Sequence, residues 1–217
     1  DESVREAARL ATAYDWQVIS DTSYEGYETI PRDVMQGYGT IAEEVVEATA
    51  GRGGEVGAFT HAFLQGGVGG LAAGVASWFW EWQGAHRPFF VVVEPVQADC
   101  LLQSAIQGRA ARATGSVDSV MAGLACGETS PLAWRFLEPC VDAFMTIDDD
   151  RAVDAMCTLA RGGARHVPLV AGECGAAGAS GFGASSIAPA MPMVRISTTF
   201  GRFFIPCRAS ANLSSSL

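Results

Sequence analysis

Hydrophobic and polar positions follow two periods along this chain, which predicts strands and helices in alternation. Short, mostly apolar runs typical of buried strands lie at residues 16–19, 61–64, 89–93, 143–147 and 167–171. Longer stretches with helical spacing lie between them, at residues 33–50, 71–82 and 98–109, after Ser130-Pro131, and after Asp148-Asp149-Asp150. A further helix is predicted to end near Thr12.

The order of these elements predicts the fold class. A strand, a helix and a second strand form a β-α-β unit, and such units almost always close as right-handed crossovers in a parallel sheet. We therefore expect an α/β fold, with an open, mostly parallel twisted sheet and helices on both faces. The helix at 71–82 is apolar nearly all round, so it should be buried against the sheet.

Composition excludes several classes of partner. The formal net charge is −10, and all 14 positive side chains are Arg, so the chain has no Lys. An acidic chain is poorly suited to bind nucleic acid or an anionic membrane, and the apolar runs are too short to span a bilayer. Six irregularly spaced Cys favour a reduced, cytoplasmic protein, and the three scattered His make a metal site an unfavoured interpretation.

Glycine dominates the turn between the predicted strand at 61–64 and the helix that follows. Gln65 is followed by Gly-Gly-Val-Gly-Gly, so successive backbone N–H groups can converge beside the positive end of the helix dipole. This favours an anion site, best suited to a phosphate, over a simple tight turn. A Walker loop is excluded because it requires a Lys. A dinucleotide-binding turn, with Glu94 as the acidic residue after the next strand, stays open.

Several segments resemble one family of pyridoxal-phosphate (PLP) enzymes. The glycine turn is similar to the phosphate-binding loop of the tryptophan-synthase-β fold, and the flanking segments resemble the diaminopropionate ammonia-lyases. Those segments are residues 19–27 (Ile-Ser-Asp-Thr-Ser-Tyr-Glu-Gly-Tyr), 31–44, 91–104 and 120–134. The resemblance covers residues 15–178. It implies a homodimeric enzyme that eliminates both amino groups of 2,3-diaminopropionate to give pyruvate and ammonia.

The resemblance also implies roles for individual residues. Asp21 is the candidate acid-base residue, with a solvated carboxylate or a helix cap as the alternative. Ser197 or Thr198 would meet the pyridine nitrogen of the cofactor. Backbone N–H groups would hold the cofactor phosphate at Gly66, Gly67, Val68, Gly69 and Gly70.

Departures from the family pattern limit what this chain can do. The family holds its cofactor through a Lys, and no Lys is present. Cys174 stands where relatives have Ser. We therefore interpret the chain as the carboxyl-terminal portion of such an enzyme, with residues 1–178 as a partial large domain and 179–217 as a divergent, poorly ordered tail that includes a possible strand at 193–197. The small domain and lysine segment would precede it.

Three hypotheses stay open at this point. The chain is an ammonia-lyase fragment that is inactive alone, a non-catalytic domain that binds a phosphate ligand or another subunit, or a Rossmann-type nucleotide binder. Cys100 and Cys126 both follow predicted strands that end on the cofactor side. A disulfide between them at the site entrance is a further hypothesis, with free buried thiols as its alternative.

Overall fold

A computed structural model describes residues 2–50, 59–163, 167–184 and 193–195, and its centre is a four-stranded sheet. The strands lie in the order β1-β2-β3-β4, where β1 is His61–Gln65, β2 is Phe89–Pro95, β3 is Ala143–Ile147 and β4 is Met193–Arg195. The first three are parallel and β4 is antiparallel to β3. The prediction of an open, mostly parallel sheet is confirmed.

Eight α-helices accompany the sheet in the described part of the chain. They are α1 (Glu2–Tyr14), α2 (Thr29–Gly37), α3 (Gly39–Ala50), α4 (Gly70–Gln83), α5 (Cys100–Gln107), α6 (Pro131–Cys140), α7 (Asp149–Arg161) and α8 (Glu173–Ala184). The helices that begin near residues 70, 100, 131 and 149 match the predicted positions within a few residues, because a glycine-rich turn or a capping residue precedes each of them.

Both faces of the sheet are covered, as the alternation along β2 requires. Phe90 and Val92 point into a core shared with α4, α5 and α6. Val91 and Val93 point into the opposite core, which includes residues of α7 and α8. Successive side chains of a strand alternate between faces, and a central strand buried on both faces therefore reads as a continuous apolar run.

Two predicted strands are wrong. Residues 16–19 form no strand, and Trp16 and Ile19 are 62% and 69% exposed. Their backbone is satisfied locally, because the Tyr27 hydroxyl donates to the Val18 carbonyl at 2.7 Å and accepts from the Ser20 N–H at 3.0 Å. The Tyr27 hydroxyl thus makes hydrogen bonds with this segment that a neighbouring strand would otherwise make.

The second of these wrong predictions is residues 167–171, which form neither helix nor strand. The strand that pairs with β3 on the side away from β2 is β4. Val170 is fully exposed instead.

The single helix predicted over residues 33–50 is divided in two. Tyr38 separates α2 from α3, and a Cβ added at Gly39 would lie 3.1 Å from the Trp78 Cδ1 atom of α4. Close packing on α4 therefore favours glycine at this break. Pro31 stands in the first turn of α2, as predicted, where its missing N–H costs no helical hydrogen bond.

The carboxyl-terminal part departs from the sequence interpretation in one respect. The expected boundary after residue 178 falls inside α8, which continues to Ala184. The possible strand at 193–197 corresponds to β4, and the remainder of the tail lies outside the described residues. No helix in the described ranges has the length and apolar character needed to cross a membrane.

Candidate functional site

The glycine loop, residues 66–70, connects β1 to α4 at the carboxyl edge of the sheet. Gln65 at the end of β1 pairs with Val93 of β2, so the loop lies beside the carboxyl end of the next parallel strand. Ligands of open α/β sheets bind outside the carboxyl ends of the strands. The first turn of α4 begins at Gly70 and directs its dipole toward the same space.

Two glycines form the back of the loop and are held by packing. A Cβ at Gly66 would lie 2.6 Å from Glu94 Cγ, and a Cβ at Gly69 would lie 2.8 Å from Leu137 Cδ1. Gly69 also has a φ of +103°, which favours glycine. Packing alone therefore accounts for glycine at these two positions.

The same two glycines do not offer free donors, which corrects part of the sequence interpretation. The Gly66 N–H donates to the Val93 carbonyl at 2.9 Å, and the Gly69 N–H donates to the Gly66 carbonyl at 3.2 Å. The Val68 N–H is directed at the thiol of Cys126. Three of the five predicted phosphate donors thus have partners within the protein.

The front of the loop is different. Within the described residues, the N–H groups of Gly67, Gly70, Leu71 and Ala72 donate to no protein acceptor. Gly70 has an ordinary helical φ, and the three atoms nearest to a Cβ there would belong to Asp21, at 3.5–3.7 Å. Packing therefore does not require glycine at position 70, and the space in front of it, lined by free helix N–H groups, suits an anion.

Asp21 lies at this front, so the structure brings together two features predicted from distant parts of the sequence. Its Oδ2 atom lies 3.5 Å from the Cβ position of Gly70 and accepts a hydrogen bond from the Tyr38 hydroxyl at 3.3 Å. Thr22 donates to Oδ1 at 3.3 Å. Asp21 is half-buried, and the helix that follows it, α2, has Glu28 at its cap position, so Asp21 does not cap that helix.

Tyr38 is the site residue that sequence reasoning missed. Burial raises the pKa of the Tyr38 hydroxyl, and the neighbouring Asp21 charge raises it further. The hydroxyl therefore stays protonated and can donate to the Asp21 carboxylate. Its position between Gly37 and Gly39 was an available signal, since paired glycines indicate a break rather than a continuous helix.

Glu94 is unavailable to a ligand, which removes the support for a dinucleotide site. Its carboxyl group is fully buried and accepts from the N–H groups of Leu101 at 2.9 Å and Leu102 at 2.8 Å. Burial raises the pKa of Glu94 to about 8, although these two N–H groups oppose the rise. The residue holds the first turn of α5 behind the glycine loop and cannot reach a ribose.

The two cysteines of the disulfide hypothesis flank Gly67 as free thiols. The Cys100 thiol is buried and donates to the Gly67 carbonyl at 3.4 Å, and Cys126 Sγ lies 3.7 Å from the Cβ position of Gly67. Burial is the main cause that raises the pKa of both thiols. Cys174 accepts the Gly123 N–H at 3.2 Å.

Ser197 and Thr198 lie outside the described residues. The preceding strand β4 runs antiparallel to β3, and its last residue Arg195 pairs with Ala143. Ala143 begins β3, so Arg195 lies at the amino edge of the sheet, opposite the glycine loop.

The assembled site can bind an anion and exchange a proton. Free N–H groups at the start of α4 would hold the phosphate of a PLP molecule, and Asp21 with Tyr38 stands beside that position. In the described part of the chain, the hydroxyl groups of Thr22 and Tyr38 donate the hydrogen bonds that the Asp21 carboxylate accepts. A negative charge at Asp21 would repel a nearby phosphate, so phosphate affinity depends on the distance between the two groups.

Comparison with known proteins agrees with this geometry. The model of the family described as pyridoxal-phosphate dependent enzymes matches residues 1–194. The diaminopropionate ammonia-lyase of Escherichia coli (strain K12) is 37% identical over 179 residues, which is 82% of this chain and 44% of that protein. That of Salmonella typhimurium (strain LT2) is 39% identical over 181 residues, with the same shares covered.

A solved structure shows the same fold. Holo diaminopropionate ammonia lyase from Escherichia coli matches with a TM-score of 0.78 at 35% identity, over 87% of this chain and 46% of that one. The chain spans less than half the length of the curated relatives it matches. Its interpretation as the carboxyl-terminal portion of such an enzyme is not borne out. The chain belongs to the family of pyridoxal-phosphate dependent enzymes.

Proposed function

We propose that this chain contributes the cofactor-phosphate site of a PLP-dependent ammonia-lyase that eliminates the amino groups of 2,3-diaminopropionate to give pyruvate and ammonia. The observation that carries the proposal is the open front of the glycine loop, where Gly70 has no packing reason to be glycine and faces Asp21. The substrate is inferred from the relatives, which are named diaminopropionate ammonia-lyases.

Bound PLP would supply an electron sink, which makes the proton next to the amino group of the substrate acidic. The N–H groups of Gly67, Gly70 and Leu71 would bind its phosphate. Asp21 would accept or return a proton at Oδ2, the atom to which the Tyr38 hydroxyl donates. The roles of Ser197 and Thr198 stay predictions.

Activity is expected only when a Lys is supplied by another part of the enzyme. This chain has 14 positive side chains, all Arg, and a guanidinium does not replace an amine in this chemistry. We also expect a cytoplasmic homodimer for the complete protein. The absence of Lys from these 217 residues favours one second candidate, a domain that binds a phosphate ligand without catalysis.

Gly70→Ala tests the phosphate site with little risk to the fold. The added methyl group would make ordinary van der Waals contacts with Asp21, at 3.5–3.7 Å, beside the free N–H groups. We expect the full chain to bind PLP, and the variant to bind it at least about tenfold more weakly, a loss of about 1.4 kcal/mol. Titration calorimetry with PLP and with inorganic phosphate measures both affinities.

Gly175→Ala is the matched control, because Gly175 is also in the first turn of a helix and has open space around its Cβ position. Equal PLP affinities of wild type and Gly70→Ala would overturn the proposed site. Pyruvate release from 2,3-diaminopropionate then separates the two candidates. If this chain in complex with a Lys-bearing segment releases no pyruvate, the result favours the non-catalytic domain.

A further inference from the structure

A buried pair of serine hydroxyls joins the Asp21 segment to the rest of the molecule. Ser23 Oγ and Ser130 Oγ lie 2.8 Å apart, and the Ser23 N–H donates to Ser130 Oγ at 3.3 Å. The Leu132 N–H donates to Ser23 Oγ at 3.0 Å. Both serines are almost fully buried, at 4% and 1% exposure. The Ser23 hydroxyl therefore accepts a hydrogen bond from one of the first N–H groups of α6, although Ser23 lies in a distant segment of the chain.

Ser130 connects the same pair to the glycine loop. It is the cap residue of α6, and its Oγ accepts from the Ala133 N–H at 3.4 Å. Its own N–H donates to the Val68 carbonyl at 3.0 Å, in the middle of the glycine loop. Two consecutive hydrogen bonds thus run from the Asp21 segment through Ser130 to the loop.

Other attachments of this segment are few. Among the described residues, the hydrogen bonds that link residues 15–27 to later parts of the chain come from Ser23 and from the contact between Asp21 and Tyr38. Trp16 and Ile19 of the same segment are mostly exposed. Since Ser23 is two residues from Asp21, its burial restricts where the carboxylate can lie.

We propose that Ser23 is a positioning residue, whose hydroxyl, through Ser130, holds the Asp21 carboxylate at the front of the glycine loop. The role of that carboxylate in catalysis rests on the function proposed above, but its placement does not. Loss of the Ser23 hydroxyl should release the segment and let Asp21 move away from both Gly70 and Tyr38. In the wild-type protein, the serine pair would therefore set the distance between the Asp21 carboxylate, which accepts a proton, and the phosphate position.

Titration of Tyr38 measures this placement without any cofactor. Its pKa is raised by burial and by Asp21, the charged group that acts on it, so loss of Asp21 from its side should lower the pKa. Ultraviolet absorbance of the full chain follows tyrosine ionisation, and Tyr38→Phe identifies the Tyr38 step among the four tyrosines. We expect Ser23→Ala and Asp21→Asn to lower the pKa in the same direction.

Ser77→Ala is the matched control, because the Ser77 hydroxyl is buried without a hydrogen-bond partner among the described residues. It should leave the Tyr38 titration unchanged. Ser23→Thr keeps a hydroxyl and should also retain the wild-type titration. An unchanged Tyr38 pKa in Ser23→Ala, or a Thr variant that behaves like the Ala variant, would overturn the proposal.

A second measurement separates this proposal from the proposed function. If Ser23→Ala does not fold, Ser130→Ala removes the same link from the other side and should lower the Tyr38 pKa likewise. PLP affinity is measured on the same proteins. Absence of PLP binding in wild type with a lowered Tyr38 pKa in Ser23→Ala would contradict the cofactor site and support the positioning role.

Discussion

The back and the front of the glycine loop are built from the same residue type for different reasons. At the back, Gly66 and Gly69 are pressed against Glu94 and Leu137, and their N–H groups are used by the main chain. At the front, a Cβ at Gly70 would make ordinary van der Waals contacts with Asp21, at 3.5–3.7 Å, and the Gly70 N–H group has no protein acceptor among the described residues. The comparison teaches that a run of glycines combines positions required by packing with positions left open for a ligand.

Changes at the back should alter stability, and changes at the front should alter binding. The largest expected effect concerns Glu94. Its pKa is raised from the ordinary 4.5 to about 8, so between these values the folded protein binds a proton that the unfolded chain has released. At about 1.4 kcal/mol per pKa unit, the free energy of unfolding should fall by about 5 kcal/mol as pH rises through this window.

Urea unfolding of wild type and Glu94→Gln between pH 4.5 and 8 measures this effect, since Gln does not titrate. The two stabilities should converge or cross as pH rises, because only wild type loses the contribution of Glu94. Glu43→Gln on the exposed side of α3 is the control and should follow wild type. Parallel pH profiles of wild type and Glu94→Gln would contradict the buried, protonated carboxyl group.

The second effect separates the two sides of the loop directly. Gly69→Ala forces a side chain into a positive φ and against Leu137, and should reduce the free energy of unfolding by roughly 3 kcal/mol. Gly70→Ala, one residue further on, should change it by less than about 1 kcal/mol. Urea denaturation of both variants tests the contrast, and equal losses would show that front and back do not differ.

The smallest effect concerns charge at the front. Asp21→Asn removes a negative charge close to the proposed phosphate position while keeping the size of the side chain. Inorganic phosphate should then bind about fivefold more tightly, or about 1 kcal/mol. Asp33→Asn on the exposed surface of α2 is the control. Weaker phosphate binding in Asp21→Asn than in Asp33→Asn would mean that Asp21 supports the anion instead of opposing it.

Much of the fold could be predicted because its elements depend on local pattern. β1, β2 and β3 are apolar runs buried on one or both sides, and the helices between them follow glycine or capping turns. The two segments that were wrongly predicted as strands are also apolar. Residues 16–19 and 167–171 do not form strands, because a strand also needs a partner segment, and the sequence does not show which segments will pair.

The candidate site could be predicted in part. The glycine loop was predicted as an anion site from its glycine pattern, Asp21 was identified by resemblance, and the structure brings the two together. The use of the Gly66 and Gly69 N–H groups by the main chain was not visible, since it depends on how β2 approaches the loop. Tyr38 and the Ser23–Ser130 pair were missed because their partners lie 17 and 107 residues away.

The sequence by itself determined the order of strands and helices, the glycine-rich turn, the acidic charge and the absence of Lys. These properties follow from the type and spacing of residues and need no contact between distant segments. Only the tertiary structure decided which loop amides remain free, that Glu94 is buried behind the loop, and that a serine pair holds Asp21 in front of it. Those properties arise from contacts between segments far apart in the chain, whose closeness no local pattern records.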